Sequence, residues 1–157
     1  MKSAALRGYA AADEVAVIEL WRRTWQAAYP DIDFSARVSW WRERWRNELV
    51  PACAIMVVEA DGGVAGAGQA AIVGFVTVDL RTGYLDQLVV APEAWGSEIA
   101  QMLIDAAKQI APAGLGLHVN RDSRRAIRFY EKHRFTVSGE ALNPHSGASV
   151  YCMSWRP

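Results

Sequence analysis

Residues 85–110 read Leu-Asp-Gln-Leu-Val-Val-Ala-Pro-Glu-Ala-Trp-Gly-Ser-Glu-Ile-Ala-Gln-Met-Leu-Ile-Asp-Ala-Ala-Lys-Gln-Ile. The apolar run Leu88 to Ala91 predicts a buried strand, and Pro92 stops it because proline cannot donate to a strand ladder. After a loop through Trp95 and Gly96, apolar residues recur at Ile99, Met102, Leu103, Ala106, Ala107 and Ile110, offsets that place all six on one helical face. The unit is therefore strand, short loop and amphipathic helix. The first turn of such a helix carries free N–H groups and the positive end of the helix dipole, which suit an anion.

Upstream, Leu6 to Tyr9 predicts a short first strand, and Asp13 is a candidate cap for a helix through Val15, Ile18, Trp21, Trp25 and Tyr29, ended by Pro30. Asp33 or Ser35 is a candidate cap for a second helix. Trp41, Trp45 and Leu49 recur there at four-residue spacing, and Pro51 predicts its end. Cys53 to Ala60 reads as a strand, Asp61-Gly62-Gly63 as a turn, Val64 to Ala70 as a loop and Ala71 to Leu80 as a further strand. With Tyr84 to Ala91 these make three consecutive strands, expected as an antiparallel meander.

Downstream, Pro112, Gly114 and Gly116 break the chain before a strand at Leu115 to Val119. Because a helix crosses between them, that strand is expected to lie parallel to Leu85–Val90. Asn120 to Ser123 reads as a capping loop. Ala126, Ile127 and Tyr130 mark a short helix ending near His133. Phe135 to Gly139 and Ser149 to Trp155 read as a closing hairpin.

The chain has 157 residues, enough for one domain with a sizeable core, and residues 1–157 are read as that single domain. Seventeen basic residues balance seventeen acidic ones, which argues against a nucleic-acid or membrane-surface partner. Cys53 and Cys152 lack metal-ligand spacing, so reduced thiols, no metal and a cytoplasmic location are expected. Met1 to Leu6 has no long apolar run, and no 18-residue apolar stretch predicts a membrane span.

Two stretches carry a family resemblance. The strand ending in Val90-Ala91-Pro92, followed by Trp95, Gly96, Ser97, Glu98, Ile99 and Ala100, resembles the acyl-CoA-binding motif of the GNAT acetyltransferase superfamily. That motif reads Gln/Arg-x-x-Gly-x-Gly/Ala. Here Ala100 matches, while Trp95 replaces Gln/Arg and Glu98 replaces Gly. Residues 120–135, Asn-Arg-Asp-Ser-Arg-Arg-Ala-Ile-Arg-Phe-Tyr-Glu-Lys-His-Arg-Phe, look like the second hallmark, Asn-x-x-Asn-x-x-Ala-x-x-Phe-Tyr-Glu-Lys-x-Gly-Phe. Ser123 replaces its second Asn and Arg134 its Gly. Gly74-Phe75 fits the family's Val-Gly-Phe, and the element order covers nearly the whole chain.

The resemblance implies an α/β (α+β) fold: a mixed, mostly antiparallel central sheet, helices on both faces, and a splay between the fourth and fifth strands. It implies transfer of an acetyl group from the cosubstrate acetyl-CoA to a primary amine of a small molecule or peptide. The pantetheine arm is expected along Leu88, Val89 and Val90, and the pyrophosphate on the loop Trp95, Gly96, Ser97, Glu98, Ile99 and Ala100. Tyr130 is expected as general acid toward the leaving thiolate, and Asn120 to help shape the site.

From the chemistry, an amine must lose a proton before it attacks. Asp86, in the fourth strand, is the first candidate base, and His118 the second. The arginines at 121, 124, 125 and 128 are candidates for the 3′-phosphate of CoA, with Arg125 assigned to it and at least two of the four expected on an exposed basic face. Trp25, Tyr29 and Phe34 are candidates for an aromatic acceptor pocket. Trp95 and Glu98 predict a pyrophosphate loop weaker than the family's, and they keep open a second class, a GNAT-fold binding or regulatory module without transfer. Acceptor identity and homodimerisation, through the C-terminal strands or the Trp-rich helices, are both left open.

Overall fold

A computed structural model describes residues 3–61 and 70–157, so most of the expected turn and loop between Asp61 and Ala70 lies outside the described residues. Strands β1 (Ala4–Gly8), β2 (Cys53–Asp61), β3 (Ala70–Asp79) and β4 (Leu85–Val90) form one antiparallel sheet in chain order. Strands β5 (Leu115–Asn120), β6 (Thr136–Leu142) and β7 (Ser149–Trp155) form a second, ordered β5-β7-β6. The two sheets touch through one parallel bridge, Tyr84 to Gly116, with Gly116 N–H donating to Gly83 C=O at 3.1 Å. Beyond that bridge β4 and β5 diverge. The expected splay and the expected parallel relation are both present.

The helices are α1 (Glu14–Ala28), α2 (Val38–Arg44), the single turn α3 (Val50–Ala52), α4 (Ile99–Ile110) and α5 (Arg124–Lys132). The helices α1 and α2 cover one face of the first sheet, where Trp45 packs edge-on to Phe75 with ring centres 5.4 Å apart. The preceding residue, Gly74, faces α4 on the other side. A Cβ there would lie 2.9 Å from Leu103 Cδ1 and 3.0 Å from Ile99 Cγ2, so glycine lets α4 settle close to β3. Ile99, Leu103, Ala106 and Ala107 are buried as the periodicity predicts, and Ile104 joins them.

Three local expectations change. Asp13 does not cap α1 with its side chain; its carboxylate accepts from Ala10 N–H at 2.8 Å and pairs with Arg7 at 2.8 Å. The second helix does not end before Pro51. A π-helical turn, Trp45–Leu49, carries it into α3, where Pro51 lies in the first turn and its missing N–H breaks no helical bond. Strand β6 starts at Thr136 and runs on to Leu142.

The aromatic residues of the first two helices form a continuous packing. Trp21 and Trp41 stack at 4.7 Å with planes 9° apart, and both are buried. Burying an aromatic side chain contributes about 1.5–3 kcal/mol. Most of this aromatic wall is therefore core, and its cleft-facing edge is held rigidly.

Candidate active site

The parting of β4 and β5 opens a cleft of about 1480 Å³, walled by α1, α2, the loop before α4, and α5. Its backbone chemistry follows from strand alternation. Ala91 N–H donates to Val73 C=O at 2.8 Å, and Phe75 pairs with Val89, so residues 89 and 91 turn their backbone toward β3. Leu88 and Val90 then face the gap. Val89 does not offer its backbone to a pantetheine arm, contrary to the sequence expectation; it contributes a buried side chain.

The Val90 carbonyl already has a partner. The indole N–H of Trp95 donates to it at 2.8 Å, and the Arg125 guanidinium lies over the Trp95 ring at 4.4 Å. Trp95 thus spans from β4 to α5 across the mouth of the gap. Arg125 is thereby held beside the loop. Arg121, on the lip of the cleft, pairs with Glu140 at 3.2 Å, and Arg124 and Arg128 do not line the cleft.

The loop from Trp95 to Ala100 presents free backbone donors at the start of α4. Gly96 takes a left-handed φ of 80° that favours glycine. Ser97 Oγ donates to Ala94 C=O at 2.6 Å and accepts from Ile99 N–H at 3.3 Å. Among the described residues the N–H groups of Gly96, Glu98, Ala100 and Gln101 have no acceptor. Four free donors at a helix start are a ready site for phosphate oxygens. Glu98 is exposed at that position.

Tyr130 is placed by the end of α5. Phe135 N–H donates to Tyr130 C=O at 2.9 Å and Arg134 N–H to Glu131 C=O at 3.0 Å, the paired bonds of a Schellman motif. Tyr130 and Phe135 rings meet at 5.4 Å, closing the motif's apolar contact. Arg134 sits at its left-handed position with φ 72°, where the family pattern has Gly. The Tyr130 hydroxyl has no hydrogen-bond partner among the described residues, and its residue lines the cleft. Burial holds its phenol well above the ordinary tyrosine range, so it stays protonated at neutral pH.

Asn120 Nδ2 donates to Tyr29 Oη at 2.9 Å, and Tyr29 Oη donates to Asp122 Oδ1 at 3.0 Å. This chain ties the end of β5 to α1. Trp25 stacks on Tyr29 at 5.9 Å and lies 6.1 Å from Phe34, so the three candidate acceptor residues form one cluster on the cleft wall. Trp21, Trp40 and Trp41 line the cleft as well; Trp45 lies away from it, between Tyr9 and Phe75.

Asp86 is turned toward the cleft by a bulge. Thr77 and Val78 are consecutive in β3, yet pair with Gln87 and Leu85, leaving Asp86 as the extra residue. Its two oxygens accept from Arg44 at 2.8 and 2.6 Å, and Gln87 Nε2 adds a bond of 3.2 Å. Both partners are nearly buried, with side chains 11% and 12% exposed. Both carboxylate oxygens are thus engaged by neighbouring donors, which leaves Asp86 a positioning partner of Arg44 rather than a free acceptor facing the cleft. Arg44 has no signal in the sequence that would pair it with Asp86, because it lies 42 residues away on another element. Tyr84, at the foot of the splay, was likewise missed; its hydroxyl lies 3.1 Å from His118 Nδ1.

No cluster of three His, Cys, Asp or Glu side chains among the described residues could hold a metal ion. No helix among them is long and apolar enough to cross a membrane. Cys53 and Cys152 are free thiols.

A family model described as "Acetyltransferase (GNAT) family" matches residues 15–135. The chain is 33% identical over 126 residues to the peptidyl-lysine N-acetyltransferase YjaB of Salmonella typhimurium, covering 80% of this chain and 78% of that protein. Its fold is similar to apo YjaB from Escherichia coli, with a TM-score of 0.73 at 18% identity over 98% of this chain and 97% of that one. It is also similar to the PaiA N-acetyltransferase of Thermoplasma acidophilum in complex with coenzyme A, with a TM-score of 0.66 at 18% identity over 99% of both chains.

Proposed function

Because the chain belongs to the acetyltransferase (GNAT) family, the acetyl-CoA-dependent N-acetyltransferases, we propose that its cleft moves the acetyl group directly to a primary amine, with both substrates bound together. The observation that carries this reading is the convergence on one cleft of the free N–H groups of Gly96, Glu98, Ala100 and Gln101, the Leu88 backbone and Val90 N–H turned away from β3, and the Tyr130 hydroxyl, unpartnered among the described residues.

The residues present fit acetyl-CoA. Gly96, Glu98, Ala100 and Gln101 would hold the pyrophosphate by backbone donors, with Arg125 beside them. Ser97 and Ile99 shape the turn that aims those donors. Leu88 and the Val90 N–H would pair with the pantetheine amides. Strand donors at the same place favour charge building on the thioester oxygen. Tyr130 delivers a proton to the departing sulfur, whose thiolate (ordinary pKa about 8.5) needs only modest help. Asn120 holds Tyr29 in the acceptor wall. Asp86 acts as a positioning residue, pinned to Arg44, and shapes the bulge beside the thioester.

Trp25, Tyr29 and Phe34 would receive the acceptor. Electron-rich ring faces favour a cationic amine by about 0.5–2 kcal/mol. A lysine side chain of a peptide is the acceptor class supported by the curated relative's name. Trp95 and Glu98 leave the site functional but loosen it. Trp95 takes the Val90 carbonyl from the pantetheine arm, and Glu98 places a negative charge at the helix start.

Isothermal titration with acetyl-CoA, beside desulfo-CoA as a non-transferring ligand, tests the reading. Micromolar binding of both is the expected result, and no binding at millimolar ligand would overturn it in favour of a GNAT-fold module that binds something else.

A further inference from the structure

The acetyltransferase reading leaves one group unassigned: the acceptor of the proton that a cationic amine must lose. Asp86 is committed to Arg44. On the facing side of the gap, His118 projects from β5 with an exposed side chain, on the same face as Asn120 two residues on. Its Nδ1 lies 3.1 Å from Tyr84 Oη, and the two rings meet edge-to-face at 5.4 Å. Its Nε2 has no partner among the described residues, and both residues line the cleft.

The pair stands where β4 and β5 begin to part, since Tyr84 itself makes the last bridge between them. That fixes His118 at the apex of the splay, between the Asp86 bulge of β4 and the Asn120–Tyr29 link to the acceptor wall. We infer that His118 is the catalytic base, its Nε2 taking the proton of the bound ammonium while Tyr84 orients the ring through Nδ1.

The inference rests on the acetyltransferase reading of the cleft, and its protons balance. Nδ1–H donates to Tyr84 Oη, leaving the Nε2 lone pair open. One ammonium proton passes to Nε2, giving an imidazolium, and the freed nitrogen lone pair forms the N–C bond. As the C–S bond breaks, Tyr130 protonates the sulfur, and the second proton of the attacking nitrogen returns to Tyr130 through water. The exposed imidazolium then releases one proton to solvent, which closes the turnover as amide, thiol and one proton. Burial, with Asp86 adding, pushes the Tyr84 phenol up to about 12, so it remains a neutral hydrogen-bond partner throughout.

Tyr84 is the titratable group in contact with His118. Asp86 of β4, Arg44 of α2 and Tyr130 of α5 interact electrostatically with Tyr84. Cys152 is the register partner of His118 on β7.

The test uses the intact chain with acetyl-CoA and whichever of a lysine-containing peptide and tryptamine the wild type acetylates faster. His118→Gln keeps a partner for Tyr84 but cannot take a proton. Its kcat is expected to fall about a hundredfold at pH 7. The deficit should narrow as pH approaches the amine's own pKa, near 10.4 for lysine. Acetyl-CoA binding, measured by calorimetry, should stay within about twofold of wild type. His118→Ala should regain turnover when imidazole is added, a response that a merely structural histidine would not give. Wild-type kcat in His118→Gln, or a deficit equal at every pH and unmoved by imidazole, overturns this assignment alone. No thiol release by the wild type with either amine overturns the acetyltransferase reading and this assignment with it.

Discussion

Arg44 holds Asp86 by two parallel hydrogen bonds, 2.8 and 2.6 Å long, joining the end of α2 to the bulge of β4. The pair is nearly buried, so its geometry matters more than its charge. Removing one partner leaves the other charge desolvated and unpaired. Asp86→Asn is expected to destabilise the fold by about 3 kcal/mol, read by urea denaturation. Arg44→Met with Asp86→Leu should recover most of that loss, because an apolar pair of similar volume leaves no buried charge. Equal losses in the single and the double variant would contradict this account of the bulge.

On the proposed reading, Trp95 and Glu98 weaken the acetyl-CoA site. A carboxylate about 5 Å from a phosphate in wet surroundings opposes binding by about 1 kcal/mol per charge. Glu98→Gly should therefore lower the acetyl-CoA Kd about tenfold, with a smaller gain at high salt. Trp95→Gln releases the Val90 carbonyl and should tighten binding further. Unchanged calorimetric Kd values in both variants would mean that neither side chain opposes the ligand.

Tyr130→Phe removes a hydroxyl that no neighbour among the described residues uses. Its kcat is expected to fall about ten- to a hundredfold, at or below the low end for general acid catalysis because a thiolate leaves readily. The KM for acetyl-CoA and the thermal midpoint should hardly move. A large drop in stability with unchanged kcat would assign Tyr130 to the core instead.

Arg134 carries the left-handed residue of the Schellman motif without glycine's freedom. Such a backbone costs a side-chain-bearing residue about 1–2 kcal/mol, partly offset by glycine's greater freedom when unfolded. Arg134→Gly should stabilise the chain by up to about 1 kcal/mol, or a few degrees in Tm by calorimetry. A lower Tm would show that the arginine side chain supplies a compensating contact.

The legible parts of this fold were the local ones. The six-residue apolar face from Ile99 to Ile110 needs only helical spacing to be read, and Pro92 needs only its missing N–H. The end of α5 near His133 was legible too, but Arg134, standing where the family pattern has Gly, hid the Schellman motif that closes it. What escaped reading depends on partners distant in sequence. Asp86 could not be known as a pinned carboxylate without Arg44 arriving from α2. Trp95 read as a departure from a motif, and only the fold reveals its bond to Val90 and its stack with Arg125. Pro51 misled for a different reason: a proline in a first helical turn breaks nothing, and the π turn before it made a new first turn.

The reaction proposed for this cleft is transfer of acetyl from acetyl-CoA to an amine. Its most direct measurement is mass spectrometry of a lysine-containing peptide and a panel of small primary amines, each incubated with acetyl-CoA and purified protein. An enzyme-dependent gain of one acetyl group on an amine, with equimolar release of free CoA thiol, is the predicted result. Binding of acetyl-CoA without acetylation of any amine offered would contradict the account.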